Sequence, residues 1–143
     1  MLTYQESKYI ISEIARRPFY KLQMIKLEQR LAVLQEKKRQ LSDPNCPQGH
    51  ESIGQRGNEV TDFSKQLVGI VTRQEELKRE RDFFTMLLVR ATDYYEILME
   101  GEQPMYVRDY FQTDDKRTLQ DKYCISNAYD RMVRIVRQEI HKL

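Results

Sequence analysis

The stretch Val60 to Leu98, VTDFSKQLVGIVTRQEELKRERDFFTMLLVRATDYYEIL, decides the fold. Val60, Phe63, Leu67, Ile70, Gln74 and Leu77 stand alternately three and four residues apart, and the rhythm continues through Arg81, Phe84, Leu88, Ala91, Tyr95 and Leu98. This is the a/d spacing of a coiled-coil seam, which the two-residue period of a strand does not produce. Gln74 and Arg81 are its polar positions; such residues fix register or oligomeric state at a cost in stability. Gly101 and Pro104 close the helix, the glycine as a C-terminal cap and the proline just beyond it.

A second seam precedes this one. Tyr20, Met24, Leu27, Leu31, Leu34 and Leu41 keep the same rhythm, broken only at Lys38, whose long stem can lead its charge out of the contact. The pattern predicts a helix of about six turns ending near Leu41. Ahead of it, Tyr9, Ile10, Ile11, Ile14 and Ala15 form an apolar patch at helical spacing, and Pro18 sets a boundary or kink near Arg17. Residues 42–58, with two Pro and three of the five Gly, read as a flexible loop. Two such helices joined by a loop most simply fold back into a long antiparallel, coiled-coil-like hairpin over residues 1–101. The second seam is the longer, so Phe84 to Leu98 must meet the N-terminal patch, the C-terminal unit or another subunit. Self-association as a symmetric homodimer is expected.

Composition agrees with an all-α class. The 143 residues are 40% hydrophobic and 32% charged, with few Gly and Pro and no Trp, which suits long helices over a thin core. The net charge of +2 is too small to point to nucleic acid by itself. Cys46 and Cys124 lie far apart, without the spacing of a disulfide framework or a zinc site. No stretch approaches the roughly 18 apolar residues of a spanning helix, and Met1 to Glu6 lacks a signal-peptide pattern. The expectation is a cytoplasmic protein without a membrane partner.

From Met105 the elements shorten, and residues 102–143 read as a separate small unit. Met105, Tyr106, Val107, Tyr110 and Phe111 predict a two-turn helix, stopped by Thr113-Asp114-Asp115. Asp114 or Asp115 caps a helix from Arg117 to Tyr123, with Leu119, Tyr123 and Cys124 inward. Ile125-Ser126-Asn127 is a short turn, with Ser126 or Asn127 capping a last helix and Asp130 near its positive end. The apolar face of that helix is Tyr129, Met132, Val133, Val136, Ile140 and Leu143. Its polar face carries Asn127, Asp130, Arg131, Arg134, Arg137 and Gln138, followed by His141. Residues 126–143 sum to +2. A short helix, a tight turn and a basic amphipathic helix describe a helix-turn-helix whose arginines reach phosphates or guanine edges. The bland alternative is a surface helix with solvated or paired arginines.

Tyr106 to Leu143 resembles the region-4-like helix-turn-helix of sigma factors. The whole layout resembles phage-encoded transcriptional activators of the RinA/ArpU type found in Gram-positive hosts. The resemblance rests on Tyr110-Phe111 near a helix end, a polar connection, the short helix Thr118 to Cys124, the Ile125-Ser126 turn and the Arg-rich helix Asn127 to Leu143. It implies a DNA-binding transcriptional regulator that acts on double-stranded DNA, with the hairpin dimerising or engaging RNA polymerase or another protein. Arg131 and Arg134 would then read base edges, with Asn127 as a further reader, while Arg117, Lys122 and Arg137 hold phosphates. The rivals are a helical adaptor or structural protein and an oligomeric DNA-packaging factor.

Other candidates carry less. Cys46 and His50 form half a metal site with no second pair nearby. Asp114 and Asp115 suit a cap better than an acid/base pair. Phe83-Phe84 and Tyr94-Tyr95 suit core packing, and Arg16-Arg17 and Lys37-Lys38-Arg39 suit solvated helix faces. There is no phosphate-cradling Gly loop, nucleophile elbow or metal-ligand helix pair. No catalytic residue, metal ligand or cofactor is expected.

Overall fold

The structure, a computed structural model, describes residues 2–42 and 57–140, and of residues 57–62 the backbone alone. Of the expected loop 42–58, residues 43–56 with Cys46 and His50 lie outside the described residues, as does His141, whereas Ser42 ends one helix and Gly57 and Asn58 open the next. Among the described residues there are six helices and no strand, so the fold is all-α: α1 (Tyr4–Ala15), α2 (Arg17–Ser42), α3 (Gly57–Met99), α4 (Pro104–Gln112), α5 (Lys116–Tyr123) and α6 (Ala128–Ile140). No described helix is long and apolar enough to cross a membrane.

Local chemistry places the boundaries. Thr3 Oγ1 accepts the Glu6 N–H at 3.1 Å and starts α1. The break to α2 falls at Arg16, and Pro18 sits in the first turn of α2, where its missing N–H leaves no helical bond unmade. Both seams mark the covered side of their helices. Tyr20 and Leu27 are buried, and Met24, Leu31, Leu34, Lys38 and Leu41 are half-buried. Every seam position of α3 from Phe63 to Leu98 is buried or half-buried, the polar Gln74 and Arg81 included. Gln74 is satisfied by donating its amide to Gln35 Oε1 of α2 at 3.1 Å.

The chain divides into two compact units, Met1–Tyr20 with Met86–Leu143, and Lys21–Thr85. This differs from a boundary at 101/102, and the first unit's core gives the reason. Ile10, Ile11 and Ile14 of α1 and Leu98 of α3 share one cluster with Tyr106, Val107, Leu119, Met132 and Val136. α1 packs along α6, and α4, α5 and α6 pack pairwise. The end of the long seam therefore finds its cover inside the chain. Ala91 and Leu98 are fully buried, and Tyr95 meets the Arg17 guanidinium at 3.8 Å and the Phe111 ring at 6.0 Å. These positions do not call for a second subunit.

Gly101 does more than close α3, where its N–H donates to the Leu98 carbonyl at 3.2 Å. No described glycine has positive φ. A Cβ on Gly101 would lie 2.6 Å from the carboxyl group of Glu139, which is buried and accepts the Glu102 N–H at 3.4 Å. The glycine makes room for that carboxylate. Gly101→Ala should displace it and cost about 1–3 kcal/mol in urea unfolding, while the same substitution in a Glu139→Ala background should cost little. Equal costs in both backgrounds would assign the glycine another role.

Candidate nucleic-acid interface

The connection between α5 and α6 is built from specific bonds. Asp115 Oδ1 accepts the Arg117 N–H at 2.9 Å and opens α5. At the other end Cys124 takes a left-handed conformation, φ 54° and ψ 46°. Cys124 N–H then donates to the Asp121 carbonyl at 3.4 Å and Ile125 N–H to that of Gln120 at 3.0 Å, the bond pair of a Schellman close. Cys124 is exposed rather than inward, because a left-handed residue leaves the helical path. Gln120 Oε1 accepts the Ala128 N–H at 3.0 Å, and Asn127 Oδ1 accepts that of Asp130 at 3.1 Å, so both sides of the turn are pinned.

α6 is wrapped more fully than an amphipathic surface helix. Besides the expected Met132, Val133, Val136 and Ile140, it buries Ala128, Ile135 and Glu139, because it packs on α1, α4 and α5 together. Its exposed residues are Asp130, Arg134 and Gln138, continuing the line of Asn127.

The three arginines do not share that line. At 3.6 residues per turn a step of three rotates about 300°, so Arg131 and Arg137 fall about 120° apart, on opposite flanks of Arg134. Arg131 turns toward α4: its guanidinium carbon lies 4.4 Å from the Tyr106 ring centre and 5.4 Å from that of Tyr123. Its Nε and Nη2 both donate to Gln103 Oε1, at 3.1 and 2.7 Å. Arg137 Nε donates to the Leu2 carbonyl at 3.1 Å. Arg134 is exposed and makes no hydrogen bond or ion pair with any described residue. The same holds for the exposed side chain of Arg117. Lys122 is exposed but donates to Asp109 Oδ2 at 2.8 Å.

Asp109 is the centre of a second network that the sequence does not reveal. It also accepts the Tyr123 hydroxyl at 2.6 Å, and Arg108 stands 3.7 Å away. The bonds from Lys122 and Tyr123 hold its carboxyl below the ordinary range, and Asp109 in turn raises the Lys122 ammonium. Burial pushes the Tyr106 and Tyr110 phenols up to about 12. Tyr106 therefore stays neutral and donates to the Ala128 carbonyl at 2.6 Å. Gln103, Tyr106 and Tyr123 thus position α6, and Asp109 ties α4 to α5. Only the helical spacing of Tyr106 and Tyr110 hints at this in the sequence. No protein-family model, curated protein or solved structure matches the chain.

Two outcomes follow from this geometry. Arg131→Ala should lower unfolding stability by about 1–3 kcal/mol, as ring contacts and a charge-assisted bond are lost, whereas Arg134→Ala should stay within about 0.5 kcal/mol of the parent. Equal effects in chemical denaturation would mean that Arg131 is not an anchor. The second concerns acid. The folded Asp109 value is lowered, so its contribution is complete above the unfolded value and is lost as pH falls through the folded one. Asp109→Asn should therefore be less stable than the parent at neutral pH and should show a smaller further loss of stability below pH 3.8, the ordinary Asp value. Parallel stability-versus-pH curves in that range would remove Asp109 as the titrating group.

Proposed function

We propose that this chain is a DNA-binding transcriptional regulator, phage- or prophage-encoded as the resemblance implies. In this reading α5, the turn and α6 form a helix-turn-helix, and α2 and α3 form an antiparallel hairpin that dimerises or engages RNA polymerase. The observation that carries the reading is the bonded turn leading into an exposed stripe of Asn127, Asp130, Arg134 and Gln138, on which Asn127 caps α6, Gln138 donates to Glu102 Oε2 at 3.1 Å, and the Arg134 guanidinium makes no bond with a described residue. A guanidinium is the group that pairs bidentately with guanine edges in the major groove. The hairpin is supported by the order of neighbours. Lys26 to Leu34 share a cleft with Arg73 and Leu77, whereas Leu34 to Leu41 share one with Gln66 to Arg73.

In this reading the roles of Arg131, Arg137 and Lys122 differ from those the sequence assigns, and those of Arg134 and Arg117 do not. Arg134 reads bases, Asn127 has only its amide nitrogen left to assist because its oxygen caps α6, and Arg117 holds phosphate. Lys122 reaches phosphate only by releasing Asp109. Arg131 and Arg137 position the helix. The helical-adaptor reading is favoured by one observation, the internal engagement of these two arginines.

An electrophoretic shift on genomic duplex fragments with a salt titration tests the proposal. Arg134→Ala should lose about 1–3 kcal/mol of discrimination between specific and random duplex. Arg117→Ala should weaken all sequences alike and flatten the salt slope by roughly one. No duplex binding at low salt would transfer the protein to the adaptor class.

A further inference from the structure

The Lys21–Thr85 unit carries two adjoining clefts, of about 370 and 500 Å³, that share Leu34 and Arg73. Their floor is apolar, with Leu34, Leu77, Leu41 and Ile70. Val33 on the rim is 56% exposed. Their charged lining is all of one sign: Lys26, Arg30 and Lys37, which make no ion pair with any described residue, and Arg73, which meets Glu76 at 3.0 Å. No carboxylate lines either cleft among the described residues. Gly69 borders the second cleft, and a Cβ built there meets nothing within 4 Å, so the space above it is open.

We propose that this groove is a docking surface for an acidic amphipathic helix of a partner protein. From Lys26 to Leu41 the α2 side of the groove extends about 22 Å, the length of a helix of about 15 residues. A groove between two helices accepts the apolar stripe of a third, anchored at i, i+3, i+4 and i+7. Flanking Glu or Asp would meet the basic rim. Duplex DNA fits this surface less well, since a phosphate backbone has no apolar face to bury against Leu34, Leu77 and Ile70. A second copy docked two-fold on the same groove would set a lining whose charges are all basic against the same lining. The proposal does not depend on the DNA-binding reading, so each can fail alone.

The test uses the full chain and a labelled synthetic helix of about 15 residues, with Leu at the anchor positions and Glu at the others. Its controls are a Lys-for-Glu peptide and a Ser-for-Leu peptide. By fluorescence anisotropy the acidic peptide should bind at least about tenfold more tightly than either control, and more weakly as salt rises. Lys26→Glu combined with Arg30→Glu should weaken it by about tenfold. Gly69→Leu should do the same by filling the open space. That substitution replaces the poorer helix former on an exposed surface, so the fold is kept, as circular dichroism would verify. The proposal is overturned if acidic and basic peptides bind alike or if the variants bind like the parent. It is also overturned if random duplex displaces the peptide and loses affinity with the same substitutions. Sedimentation showing that Lys26→Glu with Arg30→Glu abolishes self-association of the parent would instead assign the groove to a second copy.

Discussion

Burial of α6 is the constraint on which the first unit depends. Ile14, Leu98, Val107, Met132 and Val136 have no measurable exposure, and they come from the first, third, fourth and last helices of the chain. None of α1, α4, α5 or α6 exceeds 13 residues, and helices of that length are marginal in water when isolated. Each persists because its apolar face is covered by α6 or covers it. The two ends of the sequence must meet for this to happen, and Arg137 on the Leu2 carbonyl marks that meeting in a hydrogen bond. The polar groups carried inside are answered in place. No buried side-chain nitrogen or oxygen among the described residues lacks a partner.

Arg131 shows how this constraint bears on the proposed function. A guanidinium lying on two tyrosine rings while sharing one amide oxygen uses the planar, delocalised geometry that a lysine ammonium lacks. The contact ties α6 to the entrance of α4, where Gln103 precedes Pro104. A side chain committed to two rings and an amide cannot at once extend to a base edge. The arginine nearest the start of a proposed recognition helix therefore serves its orientation, and in the DNA-binding reading only the next one along meets the duplex.

Periodicity makes much of the fold legible. The two seams name the covered residues of α2 and α3 closely, even at Lys38, Gln74 and Arg81, because a three-four rhythm sustained over many turns keeps one face of a helix covered. Asn127 is readable as a cap, and Asp115 is one of two candidates for another, since short oxygen-bearing side chains before an apolar periodic run accept the first free amides. What escapes depends on contacts distant in sequence. Arg131, Arg134 and Arg137 all fall on the polar face by spacing, yet steps of three spread them over about 120° around the helix. Gly101 reads as a cap by position, yet it answers to Glu139 across 38 residues. Asp109 and Tyr123 are 14 apart with no shared period, so nothing local announces their bond.

The number of available cations limits what the proposed DNA-binding unit does alone. In the α4–α6 region Arg117 and Arg134 are exposed without a described partner, while Arg108 and Lys122 both lie within ion-pairing distance of Asp109. Asp130 stands on the same exposed stripe as Arg134 and subtracts from its field. Since each neutralised phosphate contributes about −0.9 to the salt slope, two such contacts give a slope on the order of −2, well short of proteins making 6–10 contacts. A single unit of this kind holds a duplex weakly whatever its base readers contribute. Pairing two units across half-sites makes the second contact intramolecular and multiplies the affinity without any new side chain. The DNA reading thus requires a second recognition unit, supplied by another copy or by a partner that itself binds nearby. On this reading the long helices are the means of bringing it there.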